Sequence, residues 1–353
     1  MRGSDQLLLM AAVELAEAGR YTCAPNPTVG CIIVRNDQII GRGFHARAGE
    51  GHAEVQAIAA AGGDVAGATV YVSLEPCAYV GRTPACAQTL IDARVARVVV
   101  AAVDPHPAVS GNGLKMLQAA GIETELLVLP EAEQAIRGFA SRIGRERPWV
   151  RLKTASSLDG AVALANGESQ WITGEAARQD VQHLRACSDA IITGVGTVLR
   201  DDPLLTVRLT QPCRAPLRVV LDSQARTPQD ARMLNDSYTT AIVHDPATTV
   251  SYGDHVTCLA HDPRDLDGVL HWLGEQGCNE ALVEAGPAVV GSFLKQRLWD
   301  EWVAYLAPKV LGSNSQQLAD FALDSLAQAP GARIESVTRI GADLKVTLVP
   351  SDE

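Results

Sequence analysis

The sequence has little that is typical of a membrane protein or a nucleic-acid-binding protein. None of its apolar runs approaches the length that spans a bilayer, and the run at 98–103 is typical of a buried strand. Lys and Arg form no dense cluster, and the net charge of -11 argues against a protein that binds along a phosphate backbone. We therefore expect neither a membrane partner nor a nucleic-acid partner.

Signals for export and for a disulfide framework are also lacking. The first residues form an amphipathic stretch that contains Asp5 and Glu14, which is unlike a signal peptide. The chain has eight cysteines, and two of them belong to the metal-binding pattern described below. This usage fits a reducing cytosol better than a set of disulfides, so the sequence predicts a cytoplasmic protein.

The length and the order of patterns predict two α/β domains. A chain of 353 residues is long enough for two cores. Helix and strand patterns alternate through the first 140 residues, which predicts a mixed sheet flanked by helices. The polar segment 141–148 interrupts this periodicity and is interpreted as a linker. We therefore place the domains at 1–145 and 146–353.

The most specific pattern lies between residues 51 and 86. It consists of His52, Glu54, Cys77 and Cys86. One histidine and two cysteines can bind Zn²⁺ with a fourth position open for water, as in catalytic sites. A glutamate two residues after the histidine is the general acid/base of zinc nucleobase deaminases. Here eight residues separate the cysteines instead of two. A structural zinc clip and a pair of buried cysteines are the alternatives, and the order of all four residue types favours the catalytic site.

Two upstream residues have open interpretations. Asn26 lies in a tight turn before a strand, where its amide could bind a substrate carbonyl or hydroxyl or only complete the turn. His45 could contact a phosphate or only end a strand.

The second half contains two candidate phosphate-binding turns. Glu284 ends an apolar strand, and Gly286 and Pro287 then open a helix whose first N–H groups can bind a phosphate. The segment Gly194–Thr197 also lies between a strand and a helix, but it lacks the third glycine of a dinucleotide fingerprint. An ordinary strand-to-helix turn is the alternative there.

Taken together, these motifs resemble the bifunctional riboflavin-biosynthesis deaminase–reductase family. The resemblance implies a cytidine-deaminase-like zinc domain followed by a dihydrofolate-reductase-like domain, with Zn²⁺ and NADPH as cofactors. It implies deamination of 2,5-diamino-6-(5-phosphoribosylamino)pyrimidin-4-one and then reduction of the ribosyl group to ribityl. It also leads us to expect a homo-oligomer. The matching stretches are 25–30, 51–54, 75–77, 81–84, 104–105, 153–160, 167–173, 197–203, 205–208, 221–223, 283–287 and 307–312, together with Arg185.

The resemblance also implies site residues in the second half. Arg185 and Arg208 suit the substrate phosphate, although a single arginine is more often a surface residue. Trp171 could contact the nicotinamide or pack in the core. The implied NADPH site comprises Ala155, Trp171, Thr197, Asp201, Ser223, Gly286, Pro287, Ala288, Val289, Val290, Gly291 and Ser292. The implied substrate site comprises Ser169, Arg185, Leu205, Arg208 and Glu284, with Lys153 as a candidate proton donor.

One loop departs from the family pattern and leaves an alternative open. Ala78-Tyr79-Val80 follows Cys77 where the family usually has Ser-His-His or Ser-His-Tyr. The alternative is a zinc deaminase of a different pyrimidine or pterin-like substrate, joined to a reductase-like domain of altered or lost activity. The choice between NADPH and NADH is likewise open, because no basic residue is tied to a 2′-phosphate.

Overall fold

The structure is a computed structural model that describes residues 2–79 and 84–351. Val80 and residues 81–83 of the predicted 81–84 motif lie outside the described residues. The chain divides into two compact units, Met1–Glu146 and Arg147–Glu353. Among the described helices, none has the length and apolarity needed to cross a membrane.

The first unit is an α/β layer structure around a five-stranded sheet of order β2-β1-β3-β4-β5, counted over the described residues. β1 is antiparallel to β2 and β3, whereas β3, β4 and β5 are parallel. Its elements are α1 (Arg2–Ala16), β1 (Gly30–Arg35), β2 (Gln38–Phe44), α2 (Ala53–Ala60), β3 (Thr69–Val72), α3 (Cys86–Asp92), β4 (Arg97–Val100), α4 (Asn112–Ala119), β5 (Glu123–Leu126), α5 (Pro130–Ala135) and α6 (Arg137–Arg145).

Local signals explain two features that position the first site. Asn36 and Asp37 join β1 to β2 with φ of 52° and 60°, as a tight hairpin with two left-handed residues requires. β1 and β3 are buried strands, and α2 and α3 pack with them in one apolar cluster. The sheet therefore holds the starts of both helices near the end of β3.

The predicted linker is partly wrong. Residues 141–145 of the predicted linker form the second half of α6, and Gly138, Phe139 and Ser141 of this helix are buried. This helix has its polar residues on one side and is therefore amphipathic. Because the segment is polar on average, its composition alone indicated a linker.

The second unit is built on a nine-stranded sheet of order β11-β10-β9-β8-β12-β6-β13-β16-β15, again counted over the described residues. Its elements are β6 (Trp149–Ser157), β7 (Ala161–Leu164), α7 (Glu175–Cys187), β8 (Ala190–Gly194), α8 (Val195–Asp201), β9 (Leu217–Leu221), β10 (Thr240–His244), β11 (Val256–Ala260), α9 (Leu266–Glu275), β12 (Glu280–Val283), α10 (Pro287–Lys295), β13 (Glu301–Ala307), β14 (Ser315–Gln317), β15 (Ala332–Ile340) and β16 (Asp343–Pro350).

The topology of this sheet places the second site. The strands from β11 to β13 run parallel, and β16 and β15 add an antiparallel edge. β12 lies between β6 and β8, where the strand order reverses direction. In parallel sheets ligands bind beyond the carboxyl ends of the strands at such a point. The end of β12 is therefore the expected binding crevice.

A buried ionic triad joins three neighbouring strands of this sheet. Arg151 on β6 is 2% exposed, and its Nη2 lies 3.1 Å from Glu280 Oε2 and 3.0 Å from Glu301 Oε2. Its Nε also donates to Glu301 at 3.1 Å. Because the two carboxylates are themselves buried, the arginine offsets the cost of taking them out of water.

We expect Arg151→Met to lower the free energy of unfolding of the second unit by about 3–5 kcal/mol, because it leaves two buried carboxylates without their cation. All five tryptophans of the chain lie beyond residue 147, so tryptophan fluorescence during denaturant titration reports on this unit. Arg264→Met is the matched control, since the Arg264 side chain is 77% exposed. Equal midpoints for the two variants would contradict the role given to the triad.

Candidate active sites

The three predicted zinc ligands converge at the starts of two helices. His52 is the residue before α2, and Cys86 is the first residue of α3. Cys77 lies in the extended segment that follows β3. Because α2 and α3 begin on the same side of the sheet, two stretches separated by more than 20 residues bring their donors together.

The distances between the donor atoms fit one tetrahedral ion. His52 Nδ1 lies 3.2 Å from Cys86 Sγ and 3.8 Å from Cys77 Sγ, and all three donor atoms lie within 4.8 Å of one another. Tetrahedral bonds of about 2.0–2.3 Å separate neighbouring donors by roughly 3.6 Å. Nitrogen and sulfur donors of this kind suit Zn²⁺, and three protein ligands leave a fourth position for water.

Cys77 is set up as a thiolate. Hydrogen bonds from the Cys86 side chain and from His52 lower the pKa of the Cys77 thiol to about 4, against the opposing effect of burial. The Cys86 backbone N–H also points to Cys77 Sγ at 3.3 Å. With its pKa this far below 7, the Cys77 thiol is ionised at neutral pH. The thiolate is the form that binds metal.

Glu54 lies beside the ligands. It occupies the first turn of α2 and is 3% exposed. Burial raises the pKa of its carboxyl above the usual value, and its carboxyl is in hydrogen-bonding contact with Cys86. A carboxyl whose pKa moves towards neutrality is suited to accept and return protons.

The structure brings Asn26 and His45 to the same place. Asn26 Nδ2 lies 2.9 Å from His45 Nε2, and the His45 ring meets the His52 ring edge-on at 5.1 Å between centroids. His45 is 2% exposed, and burial together with the neighbouring His52 lowers its pKa. A neutral imidazole paired with an amide therefore borders the zinc ligands.

Glu75 supports the Cys77 segment, a role that the sequence analysis did not assign. Its buried carboxylate accepts hydrogen bonds from the backbone N–H groups of Gly111 and Gly113 at 2.9 Å and of Leu114 at 3.2 Å. A side chain at Gly113 would meet Pro76 O at 1.9 Å, so only glycine lets α4 approach this closely. In the sequence, the place of Glu75 two residues before Cys77 was the available signal of this role. The hydrogen-bond partners of Glu75 lie more than 30 residues away and could not be identified from it.

The second site is centred on Glu284, directly after β12. Its carboxylate accepts two hydrogen bonds of 2.9 Å from Arg185 and lies 3.4 Å from Lys153 Nζ. Burial alone would raise the pKa of Glu284, but the positive charges of Lys153 and Arg185 lower it to about 2. The three predicted residues are thus one ionised cluster at the crevice.

The cluster continues into the segment 204–208. Arg185 Nη1 donates to Thr206 O at 3.0 Å, and Gln182 Oε1 accepts from Arg208 N at 2.9 Å. Leu205 has a φ of 49° and is 3% exposed, and its side chain packs in an apolar cluster of this unit. The guanidinium fork of Arg185 is engaged by Glu284, whereas Arg208 is exposed.

Two helix starts meet at the predicted cofactor site. α8 follows β8 at Gly194, and α10 begins at Pro287 after the extended Gly286. A Cβ at Gly194 would lie 2.8 Å from Val289 Cγ2, which shows how closely the two turns approach. A Cβ at Gly286 would lie 3.7 Å from Thr197 Oγ1. Paired N-terminal turns of this kind fit a pyrophosphate.

Two residues in the later part of the predicted cofactor segment face the protein interior. Val290 is 1% exposed, and a Cβ at Gly291 would lie 2.6 Å from Asp320 O. Ser292 Oγ donates to Ala288 O at 2.8 Å within the helix. The turn 286–289 is therefore the part of this segment that is placed to meet a cofactor.

The remaining predicted residues are distributed over several elements of the second unit. Trp171 is 62% exposed rather than packed in the core, and the Arg178 guanidinium lies 4.5 Å above its ring. Ser223 lies in the turn after β9, and Ala155 lies on β6. Ser169 lies in the segment between β7 and α7, and Asp201 is the last residue of α8.

Two family models match the chain, one in each unit. The model described as the cytidine and deoxycytidylate deaminase zinc-binding region matches residues 2–102. The model described as the RibD C-terminal domain matches residues 148–346.

Proteins of the same name match almost the whole chain. The riboflavin biosynthesis protein RibD of Escherichia coli is 43% identical, with 98% of this chain and 99% of that protein covered. That of Haemophilus influenzae is 42% identical, with 98% and 97% covered. A solved structure of Acinetobacter baumannii RibD is 42% identical with a TM-score of 0.91, covering 98% of this chain and 99% of that one.

A further solved structure has a name that states two activities. It is the Thermotoga maritima diaminohydroxyphosphoribosylaminopyrimidine deaminase/5-amino-6-(5-phosphoribosylamino)uracil reductase, 32% identical with a TM-score of 0.92 over 98% of this chain and 99% of that one. With both units and nearly the full length matched, this chain belongs to the RibD family of riboflavin biosynthesis proteins.

Proposed function

We propose that the chain catalyses two successive steps of riboflavin biosynthesis, with the deaminase in residues 1–145 and the reductase in residues 146–353. The first step is zinc-dependent hydrolytic deamination of 2,5-diamino-6-(5-phosphoribosylamino)pyrimidin-4-one. The second is NADPH-dependent reduction of the product's ribosyl group to ribityl. The observation that carries the proposal is the buried Glu54 beside converging His52, Cys77 and Cys86 in a chain that also carries the Glu284 cluster.

In the deaminase, the ligands hold the ion and Glu54 moves protons. Bound Zn²⁺ lowers the pKa of its water to about 7, which makes a nucleophile available at neutral pH. Glu54 would pass the first proton of the water to the ring nitrogen, and would then pass the second, from the hydroxyl group formed on the ring, to the departing amine. The C–O bond forms, the C–N bond breaks, and ammonia leaves. Asn26 is proposed to bind a substrate carbonyl or hydroxyl from its place beside His45.

In the reductase, the chain positions NADPH and the phosphorylated substrate at the carboxyl ends of the parallel strands. When bound there, NADPH would supply a hydride to the ribose C1′, and the ring oxygen would need a proton as the sugar opens. Lys153 is the proposed donor of that proton, because its ammonium group lies 3.4 Å from the ionised Glu284 at the crevice. Ser169, Leu205 and Glu284 are proposed to contact the substrate.

We assign the cofactor to the neighbouring turns. The N–H groups at the starts of α8 and α10 favour the pyrophosphate, with Thr197 and the turn 286–289 around it. The exposed ring of Trp171 is available to the nicotinamide. Ala155, Asp201 and Ser223 complete the proposed NADPH site.

Arg208 is the proposed ligand of the substrate phosphate. Arg185 already bonds Glu284 and Thr206, so its role is to hold the carboxylate and the segment 204–208 in place. Arg208 is exposed, and its backbone is fixed by Gln182. A guanidinium can bind a phosphate through two parallel hydrogen bonds.

The alternative, a deaminase of another substrate with an inactive second half, is not favoured. The Thermotoga maritima protein that is named for both activities matches 98% of this chain. Homo-oligomeric assembly, a cytoplasmic location and the absence of nucleic-acid and membrane partners stay predictions of the sequence.

Glu54→Gln tests the deaminase. The amide cannot take up a proton, so we expect ammonia release to fall by at least about 10²–10⁴-fold. Zinc content should stay at the wild-type level, because Glu54 is not a ligand. Glu50→Gln, an exposed neighbour, is the control and should keep full activity. A Glu54→Gln variant that releases ammonia normally would contradict the assignment.

Arg208→Met tests the phosphate site. Losing a charge-assisted contact should raise the KM for 5-amino-6-(5-phosphoribosylamino)uracil by about tenfold or more and leave the KM for NADPH unchanged. Arg208→Lys should restore part of the loss, since an ammonium is a point charge without the fork. Arg333→Met, at an exposed position of β15, is the control. An unchanged substrate KM would exclude Arg208 as the phosphate ligand.

The Glu284 cluster predicts an acid-sensitive part of the stability. The pKa of Glu284 is lowered from 4.5 to about 2, so its ionisation stabilises the folded unit above pH 4.5 and this stabilisation is lost as the pH falls towards 2. We expect Glu284→Gln to be less stable than the wild type at neutral pH, with the difference shrinking below pH 4.5. Tryptophan fluorescence during denaturant titration measures it, and Glu275→Gln, an exposed change on α9, serves as control. A difference that stays constant with pH would contradict the account.

A further inference from the structure

An aromatic pair stands beside the zinc ligand Cys77. The rings of Tyr79 and His106 lie 5.9 Å apart between centroids, with 32° between their planes. Tyr79 follows Cys77 by two residues and is 48% exposed. His106 belongs to the loop between β4 and α4. Two loops thus contribute one ring each to the surface next to the metal ligands.

Hydrogen bonds connect the loop that carries His106 to the Cys77 segment. The Glu75 carboxylate accepts from Asp104 N at 3.4 Å and from Gly111 N at 2.9 Å, one on each side of His106. Asp104 Oδ1 in turn accepts from His106 N at 2.8 Å. Because Glu75 immediately precedes Pro76 and Cys77, the same carboxylate ties both loops together.

The hydrogen bonds of His106 assign the proton on its ring. Ala108 N donates to His106 Nδ1 at 3.2 Å, so Nδ1 is an acceptor and a neutral ring carries its hydrogen on Nε2. Within the described parts of the chain, no partner is found for Nε2 or for the Tyr79 hydroxyl. The pair therefore presents an N–H donor and an aromatic face.

Few other groups in this unit offer that chemistry. Residues 1–146 contain three histidines, His45, His52 and His106. His52 is a metal ligand, and His45 is buried against Asn26 and His52. The Cys77 loop contains Tyr79 but no imidazole at 78–80. His106 is thus the histidine of this unit that is free to meet a ligand.

We propose that His106 and Tyr79 form a substrate-binding wall of the deaminase: His106 Nε2–H donates to an oxygen of the substrate, and the Tyr79 ring packs against its planar base. This inference rests on the proposed deaminase function and names residues that recognise its substrate. The acceptor is either the carbonyl of the pyrimidinone or the phosphate, both of which are oxygen acceptors. Because the pair binds and does not transfer protons, it acts mainly on KM.

The test compares His106→Ala with the wild type in steady-state deamination, measured as ammonia release by the full-length, zinc-loaded chain. We expect the KM to rise about tenfold or more with kcat within about threefold, as for loss of a ground-state hydrogen bond. His106→Gln keeps an N–H donor and should recover part of the affinity. Tyr79→Ala should raise the KM, whereas Tyr79→Phe keeps the ring and should stay near the wild type.

Controls separate binding from folding. Ser110→Ala changes an exposed residue of the same loop and should leave the KM unchanged. Zinc content and NADPH-dependent reduction of the deaminated substrate should be the same in every variant. Repeating the comparison with the dephosphorylated substrate distinguishes the acceptors: an effect of His106→Ala that disappears identifies the phosphate, and one that persists identifies the carbonyl.

An unchanged KM in His106→Ala would overturn the proposal. Loss of zinc, or a fall in kcat without a change in KM, would make His106 a structural residue and would also overturn it. A wild-type chain that releases no ammonia at all would instead contradict the proposed function, so the two failures are distinguishable.

Discussion

Both sites depend on a carboxylate buried beyond the end of a parallel strand. A buried charge is costly unless it is paired or hydrogen-bonded, so each carboxylate gathers donors from distant parts of the chain. Glu75 collects backbone N–H groups from the loop and helix after β4, and thereby sets the place of Cys77. Glu284 collects Arg185 from α7 and Lys153 from β6, and Arg185 extends the network to Thr206. These carboxylates therefore hold the loops of both sites at the edges of their sheets.

The helix starts add the second common element. His52 and Cys86 stand where α2 and α3 begin, and the cofactor turns stand where α8 and α10 begin. The free N–H groups of a helix start favour negative charge, which at the start of α3 is the Cys77 thiolate. In the proposed function the starts of α8 and α10 favour a phosphate for the same physical reason.

Local patterns predicted the features that depend on neighbouring residues. The cluster of His52, Cys77 and Cys86 and the start of α10 were both readable, because ligand spacing and a Gly-Pro start are short-range signals. The helix at 137–145 was missed because its mean composition is polar. The engagement of Arg185 by Glu284 could not be foreseen, since 99 residues separate the two. The support of Cys77 by Glu75, and the meeting of Tyr79 with His106, likewise depend on the order of strands in space.

The central claim is that one chain performs deamination and then reduction on the same phosphoribosylaminopyrimidine. Its most direct test supplies the purified, zinc-loaded protein with 2,5-diamino-6-(5-phosphoribosylamino)pyrimidin-4-one and NADPH, and follows ammonia and NADPH together. The account predicts that ammonia appears first and that ammonia released and NADPH oxidised reach equal amounts. Ammonia release without NADPH oxidation, or NADPH oxidation before any ammonia appears, would contradict it.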